Sequence, residues 1–76
     1  EFNIYPNPVT NELSVEFPSA VTQATISVYS VLGTLVYSST MDQWNSKINT
    51  SDWNTGVYLM NINTADFSQT KRIIKQ

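Results

Sequence analysis

A small all-β sandwich of about seven short antiparallel strands is what three features of the sequence predict. Apolar and polar residues alternate in short runs, as in Leu13, Val15 and Phe17 against Glu12, Ser14 and Glu16. Turn-forming residues punctuate those runs, from Pro6-Asn7-Pro8 through Val31-Leu32-Gly33 to Asn54-Thr55-Gly56. No stretch keeps a helical period over the ten or so residues that a helix needs.

The elements follow in order. Phe2-Asn3-Ile4-Tyr5 alternates briefly and stops at Pro6-Asn7-Pro8. There two prolines set two φ angles near about −65°, remove two backbone donors and hold Tyr5 and Asn7 extended. Residues 12–17 read as a half-exposed strand closed by Pro18-Ser19-Ala20. From Thr22 the alternation resumes, with Ala24, Ile26 and Val28 inward and Thr25, Ser27 and Tyr29 outward. A loop over Val31-Leu32-Gly33 separates that strand from Thr34-Leu35-Val36-Tyr37, which predicts a hairpin with Gly33 in a left-handed conformation.

Residues 38–45 are polar apart from Met41 and Trp44 and predict a long connection between sheets, followed by a short strand with Ile48 inward. Asn49-Thr50-Ser51-Asp52 groups cap-forming residues, which suits a single helical turn carrying Trp53. The run Gly56 to Ile62 is among the most apolar in the chain and predicts the central strand, buried largely on both faces, with Gly56 giving backbone freedom at its entry. Residues 63–67 form a turn. Gln69 to Lys75 forms a terminal edge strand with Ile73 and Ile74 on opposite faces. Strands at this spacing favour an immunoglobulin-like sandwich, here without the cysteine pair of antibody domains.

Composition narrows the function. A chain of 76 residues makes one domain that buries only about 60% of its unfolded surface, which leaves little for a deep cavity. It has neither cysteine nor histidine, so disulfides, thiolate metal sites and Cys/His or Ser/His nucleophiles are excluded. We therefore expect no enzyme and no cofactor. Asp42, Asp52 and Asp66 lie too far apart in sequence for a calcium loop. The net charge is −2, with Lys71, Arg72 and Lys75 crowded at the end of an otherwise acidic chain. Three cations there give little phosphate affinity, so no nucleic-acid partner is expected. No apolar run reaches the roughly 18 residues of a membrane span. The chain opens at Glu1 without methionine, and we expect residues 1–76 to be a single C-terminal domain detached from an upstream cargo protein that carries the targeting signal.

Five motifs stand in one order: Ile4-Tyr5-Pro6-Asn7-Pro8-Val9, Leu13-Ser14-Val15, Ile26-Ser27-Val28-Tyr29 running into Leu32-Gly33, Gly56-Val57-Tyr58, and Lys71-Arg72-Ile73-Ile74-Lys75. Together they resemble the type A C-terminal sorting domain of the type IX (Por) secretion system of Bacteroidota. The resemblance spans essentially the whole chain. It departs from the family at Trp53, where an aliphatic residue is common, and at Arg72, where lysine is usual; apolar character and charge are kept.

The resemblance implies a signal that directs cargo from the periplasm through an outer-membrane translocon to the cell surface or medium, after which a sortase-type protease removes it. Its hallmarks fall on Pro6, Asn7 and Pro8, on Gly56 and Tyr58, and on Lys71, Arg72 and Lys75. Each position also has a plain structural reading. The Pro-Asn-Pro segment suits a stiff corner, Gly56 and Tyr58 suit core geometry, and the basic residues suit protection of an edge strand. An exposed edge also permits weak self-association or strand addition by a carrier. The alternative is a carbohydrate- or protein-binding module using Trp44 and Trp53 as a stacking platform.

Overall fold

The computed structural model describes residues 1–76 as seven antiparallel strands: β1 (Asn3–Tyr5), β2 (Glu12–Glu16), β3 (Gln23–Ser30), β4 (Leu35–Asp42), β5 (Lys47–Asn49), β6 (Gly56–Asn63) and β7 (Ser68–Lys75). They form two sheets, β1-β2-β5 and β4-β3-β6-β7, and no helix. The expected all-β sandwich is therefore observed, as three strands on four.

The facing sides supply the core. Leu13, Val15 and Ile48 come from the three-stranded sheet, and Ala24, Ile26, Val28, Met41, Tyr58, Met60, Ile62 and Ile73 from the four-stranded one. Period-two alternation placed Leu13, Val15, Ala24, Ile26, Val28 and Ile48, but it did not choose between the faces of β6 or between Ile73 and Ile74, and it missed Met41. Phe2 and Val9 lie outside the strands, are fully buried and seal one side of the sandwich. The Phe2 ring meets Phe17 edge to face, with centroids 5.0 Å apart, and Phe67 at 6.1 Å. Its amide donates to Gln69 Oε1 at 3.1 Å, which ties the N-terminus to β7.

Two expectations need correction. The strand β6 is central, flanked by β3 and β7, but it is buried on one face only. Tyr58, Met60 and Ile62 are inside, whereas Val57 and Leu59 keep 38% and 43% of their surface exposed. The other sheet covers only one side, so a strongly apolar sequence leaves half its side chains on an open face. Second, residues 38–42 are not a connection. They extend β4, in register with β3 from Gln23↔Asp42 to Val28↔Tyr37, because eight residues of β3 present backbone groups that need a partner. The polarity of Ser38 and Thr40 reflects the open face. The single turn expected before Gly56 forms, with Trp53 N–H donating to the Thr50 carbonyl at 3.0 Å.

The hairpin forms as expected: Gly33 has φ +91°, and its N–H donates to the Ser30 carbonyl at 2.9 Å. A bulge follows, where Val28 pairs Tyr37 but Tyr29 pairs Leu35, leaving Val36 as the extra residue. Ile73 and Ile74 do take opposite faces, the first buried and the second half-exposed.

Candidate functional site: a closed sheet edge

Strand β7 is an edge strand, and its outer backbone groups would be open to any passing strand. They are instead occupied by the segment after β1. Val9 N–H donates to the Ile74 carbonyl at 2.8 Å, and Gln76 N–H donates to the Val9 carbonyl at 2.9 Å, which is one rung of a parallel ladder. The next rung back would need residue 7 to donate to the Arg72 carbonyl and accept from Ile74 N–H. Both bonds exist, but the side chain makes them: Asn7 Nδ2 donates to the Arg72 carbonyl and Ile74 N–H donates to Asn7 Oδ1, each at 2.9 Å.

The residue types follow from this geometry. A proline on each side removes the neighbouring donors and stiffens the corner, so Asn7 is held with its carboxamide against β7. A carboxamide is a peptide group without the chain, one acceptor beside one donor, and asparagine carries it on the shortest stem. Both X–Pro bonds, Tyr5-Pro6 and Asn7-Pro8, are cis.

The Gly-x-Tyr motif stands on the other side of β7. Gly56 is opposite Lys75 and Tyr58 opposite Ile73. Gly56 has φ +154° with open space where a side chain would project, so its cost of substitution is in the backbone and not in a clash. Gly56→Ala is expected to lower stability by about 1 kcal/mol, a fall in Tm of about 4–8 °C on thermal denaturation. Tyr58 is buried, its hydroxyl donates to the Asn54 carbonyl at 2.6 Å, and its ring sits 4.9 Å from that of Trp53. That is the core role its position in an apolar strand suggests.

The three cations do not form one patch, because a strand sends successive side chains to opposite faces. Lys71 and Lys75 share the inward side with Ile73. Lys71 Nζ reaches Glu1 Oε2 at 3.2 Å, and Lys75 is only 7% exposed. Arg72 lies on the open face, opposite Leu59, exposed and without an ion pair. Sequence reading did not single out Val9, although it supplies the backbone rung, nor Thr50, fully buried with its hydroxyl donating to the Thr10 carbonyl at 3.2 Å. The valine after Pro-Asn-Pro was a visible signal for the first; nothing in the polar run 49–52 marks Thr50 as buried.

Other candidate chemistry is dispersed. Asp42 caps its own turn, Oδ1 accepting from Trp44 N–H and Asn45 N–H at 2.9 and 2.8 Å, while Asp52 and Asp66 sit on two further turns. No three acidic side chains gather. Trp44 is 81% exposed and stacks on no ring, whereas Trp53 packs against the core, so the two tryptophans make no joint platform. An open recess of about 480 Å³ beside Trp53 is lined by Val36, Asn49, Asp52, Asn54 and Tyr58, a single carboxylate among amides and apolar groups.

Residues 3–76 match the family described as the secretion system C-terminal sorting domain. The chain belongs to that family. No curated protein matches it. The three motifs singled out in the sequence thus meet on one structural feature of the sorting domain, strand β7. The Pro-Asn-Pro carboxamide closes the outer side of β7, and the Gly-x-Tyr residues pair with β7 from within the sheet.

Proposed function

We propose that this domain is the non-catalytic export signal of a cargo protein joined to its N-terminus, read in folded form by the outer-membrane translocon of a type IX secretion system. Membership of the sorting-domain family supports a sorting signal for type IX secretion. The observation that carries the folded form of the signal is the meeting of all three hallmarks at β7, since an unfolded peptide would hold them far apart. In this reading the cargo passes through the periplasm, and a sortase-type protease at the cell surface of a Bacteroidota host then removes the domain. Arg72 is the one basic hallmark free to touch a partner without disturbing the fold, because Lys71 is paired and Lys75 is enclosed.

The test is export of a periplasm-directed fluorescent protein carrying residues 1–76 at its C-terminus, in a Bacteroidota host with and without a working translocon. Surface or medium fluorescence is expected only when the translocon works. The Arg72→Glu version is expected to retain the wild-type Tm within about 4 °C, a surface substitution costing about 0.5 kcal/mol at most, and to accumulate in the periplasm. Retention of the intact fusion in both hosts would remove the reading; normal export of the Arg72→Glu fusion would remove only the role of Arg72.

A further inference from the structure

The sandwich has four sheet edges, treated differently. Two are the three-residue strands β1 and β5, and the third, β7, is closed by Asn7 and Val9. The fourth is β4, eight residues long, beyond which no strand lies. Leu35 to Asp42 contains no proline, lysine or arginine, the residues that usually blunt such an edge. The one side-chain hydrogen bond to its backbone is local, from Ser39 Oγ to the Thr40 carbonyl at 3.3 Å.

We propose that β4 is a self-association edge, at which two copies of the domain pair antiparallel about a twofold axis through Ser39. Opposed residues in an antiparallel pair share a face, so the inward Tyr37, Ser39 and Met41 must meet inward residues of the second copy. Centring on Ser39 satisfies this. On the core side Tyr37 is set opposite Met41 of the second copy, twice; Met41 is only 4% exposed, so the surface newly covered there is that of the half-exposed Tyr37 ring. On the open face Ser38 meets Thr40 of the second copy, also twice, a hydroxyl pair of the kind found between strands.

Charge selects the same arrangement. Asp42 is the only charge on β4, so antiparallel pairing places the two copies of it at opposite ends, each facing the bulged Val36, whereas a parallel pair would set them side by side. Centring on Ser38 would oppose Tyr37 to Ser39 and push Met41 against the irregular stretch at Leu35. The paired stretch is thus Tyr37 to Met41, and the two four-stranded sheets become one of eight. This inference stands on the edge geometry alone and is independent of the export reading.

So small an interface, below about 1,200 Å², implies a weak dimer, populated between about 10 µM and about 1 mM. Sedimentation velocity of residues 1–76 over that range is expected to show the mass rising from one copy towards two. Ser38→Lys/Thr40→Lys places two lysines opposite two lysines and is expected to weaken association at least about tenfold. Ser38→Lys/Thr40→Glu opposes unlike charges in this register and is expected to associate at least as well as wild type. The register is read separately by single thiols, since the chain has no cysteine of its own. Ser39→Cys lies on the axis, opposite itself, within disulfide reach, and is expected to form covalent dimers faster than Ser38→Cys. A wild-type domain that stays monomeric at about 1 mM overturns the proposal. So does association that survives Ser38→Lys/Thr40→Lys with unchanged strength, or Ser38→Cys linking as fast as Ser39→Cys.

Discussion

Replacing Lys75 by glutamate is expected to cost about 3 kcal/mol of stability, and so to lower Tm by about 12–24 °C, before any question of recognition arises. Lys75 is 7% exposed, lies between Val9 and Gly56 in the backbone ladder, and shares its side of the strand with buried Ile73. It has no carboxylate partner, and no buried side-chain nitrogen or oxygen in the domain is without a hydrogen-bond partner, so its ammonium reaches water while its stem is packed. Glutamate has a stem two carbons shorter. Its carboxylate would stop inside the rim, and the packing of the lysine stem would be lost as well. For a domain of this size, whose total stability is of the order of 4–11 kcal/mol, that is a large fraction. Thermal denaturation of Lys75→Glu beside Arg72→Glu checks it: the first is expected to melt far below wild type and the second close to it. Equal melting points would show that the two side chains share one environment. The contrast bears on any export assay, because a charge reversal at Lys75 would fail to sort through loss of the fold.

Asn7→Ala is expected to have the second-largest effect, about 2 kcal/mol, or a fall in Tm of about 8–16 °C. Two hydrogen bonds disappear, to the Arg72 carbonyl and from Ile74 N–H, each worth about 0.5–1.5 kcal/mol net. Asn7→Asp separates their contributions. It keeps the acceptor for Ile74 N–H but turns an oxygen towards the Arg72 carbonyl, so it should not recover the alanine loss in full. Beyond stability, the Asn7→Ala domain exposes a second edge. The measurement is thermal denaturation together with amide hydrogen exchange, and Ile74 N–H is expected to be the amide whose protection falls most. Unchanged protection at Ile74 would mean that water or the backbone replaces the carboxamide without loss.

Much of the core was legible in sequence, and the misses have a common cause. Leu13, Val15, Ala24, Ile26, Val28 and Ile48 could be assigned because alternation along one strand records which face is covered. The second half of β4 escaped because Ser38, Ser39 and Thr40 carry no such alternation: an edge strand beside an open face is under little pressure to be apolar. β6 misled in the opposite direction, its Val57 and Leu59 being apolar on a face that no layer covers. At the candidate site, Pro6-Asn7-Pro8 was readable as a stiff corner. That Asn7 replaces a peptide group in a ladder was not, because its partners are 65 and 67 residues away. The three terminal cations looked like one basic end, and only strand geometry sends Arg72 to one face and the lysines to the other.

By itself, then, the sequence determined the class, the number of strands and most of the inward residues, since these depend on local periodicity and turn chemistry that neighbours in the chain impose on one another. It also determined what the domain lacks, with no cysteine or histidine to support thiol or imidazole chemistry. Tertiary structure alone decided which edges are closed and which is open, and which cation is paired, enclosed or free. Those properties belong to backbone groups and side chains brought together across the whole length of the chain. Hydrogen-bond geometry and burial, not local propensity, set them.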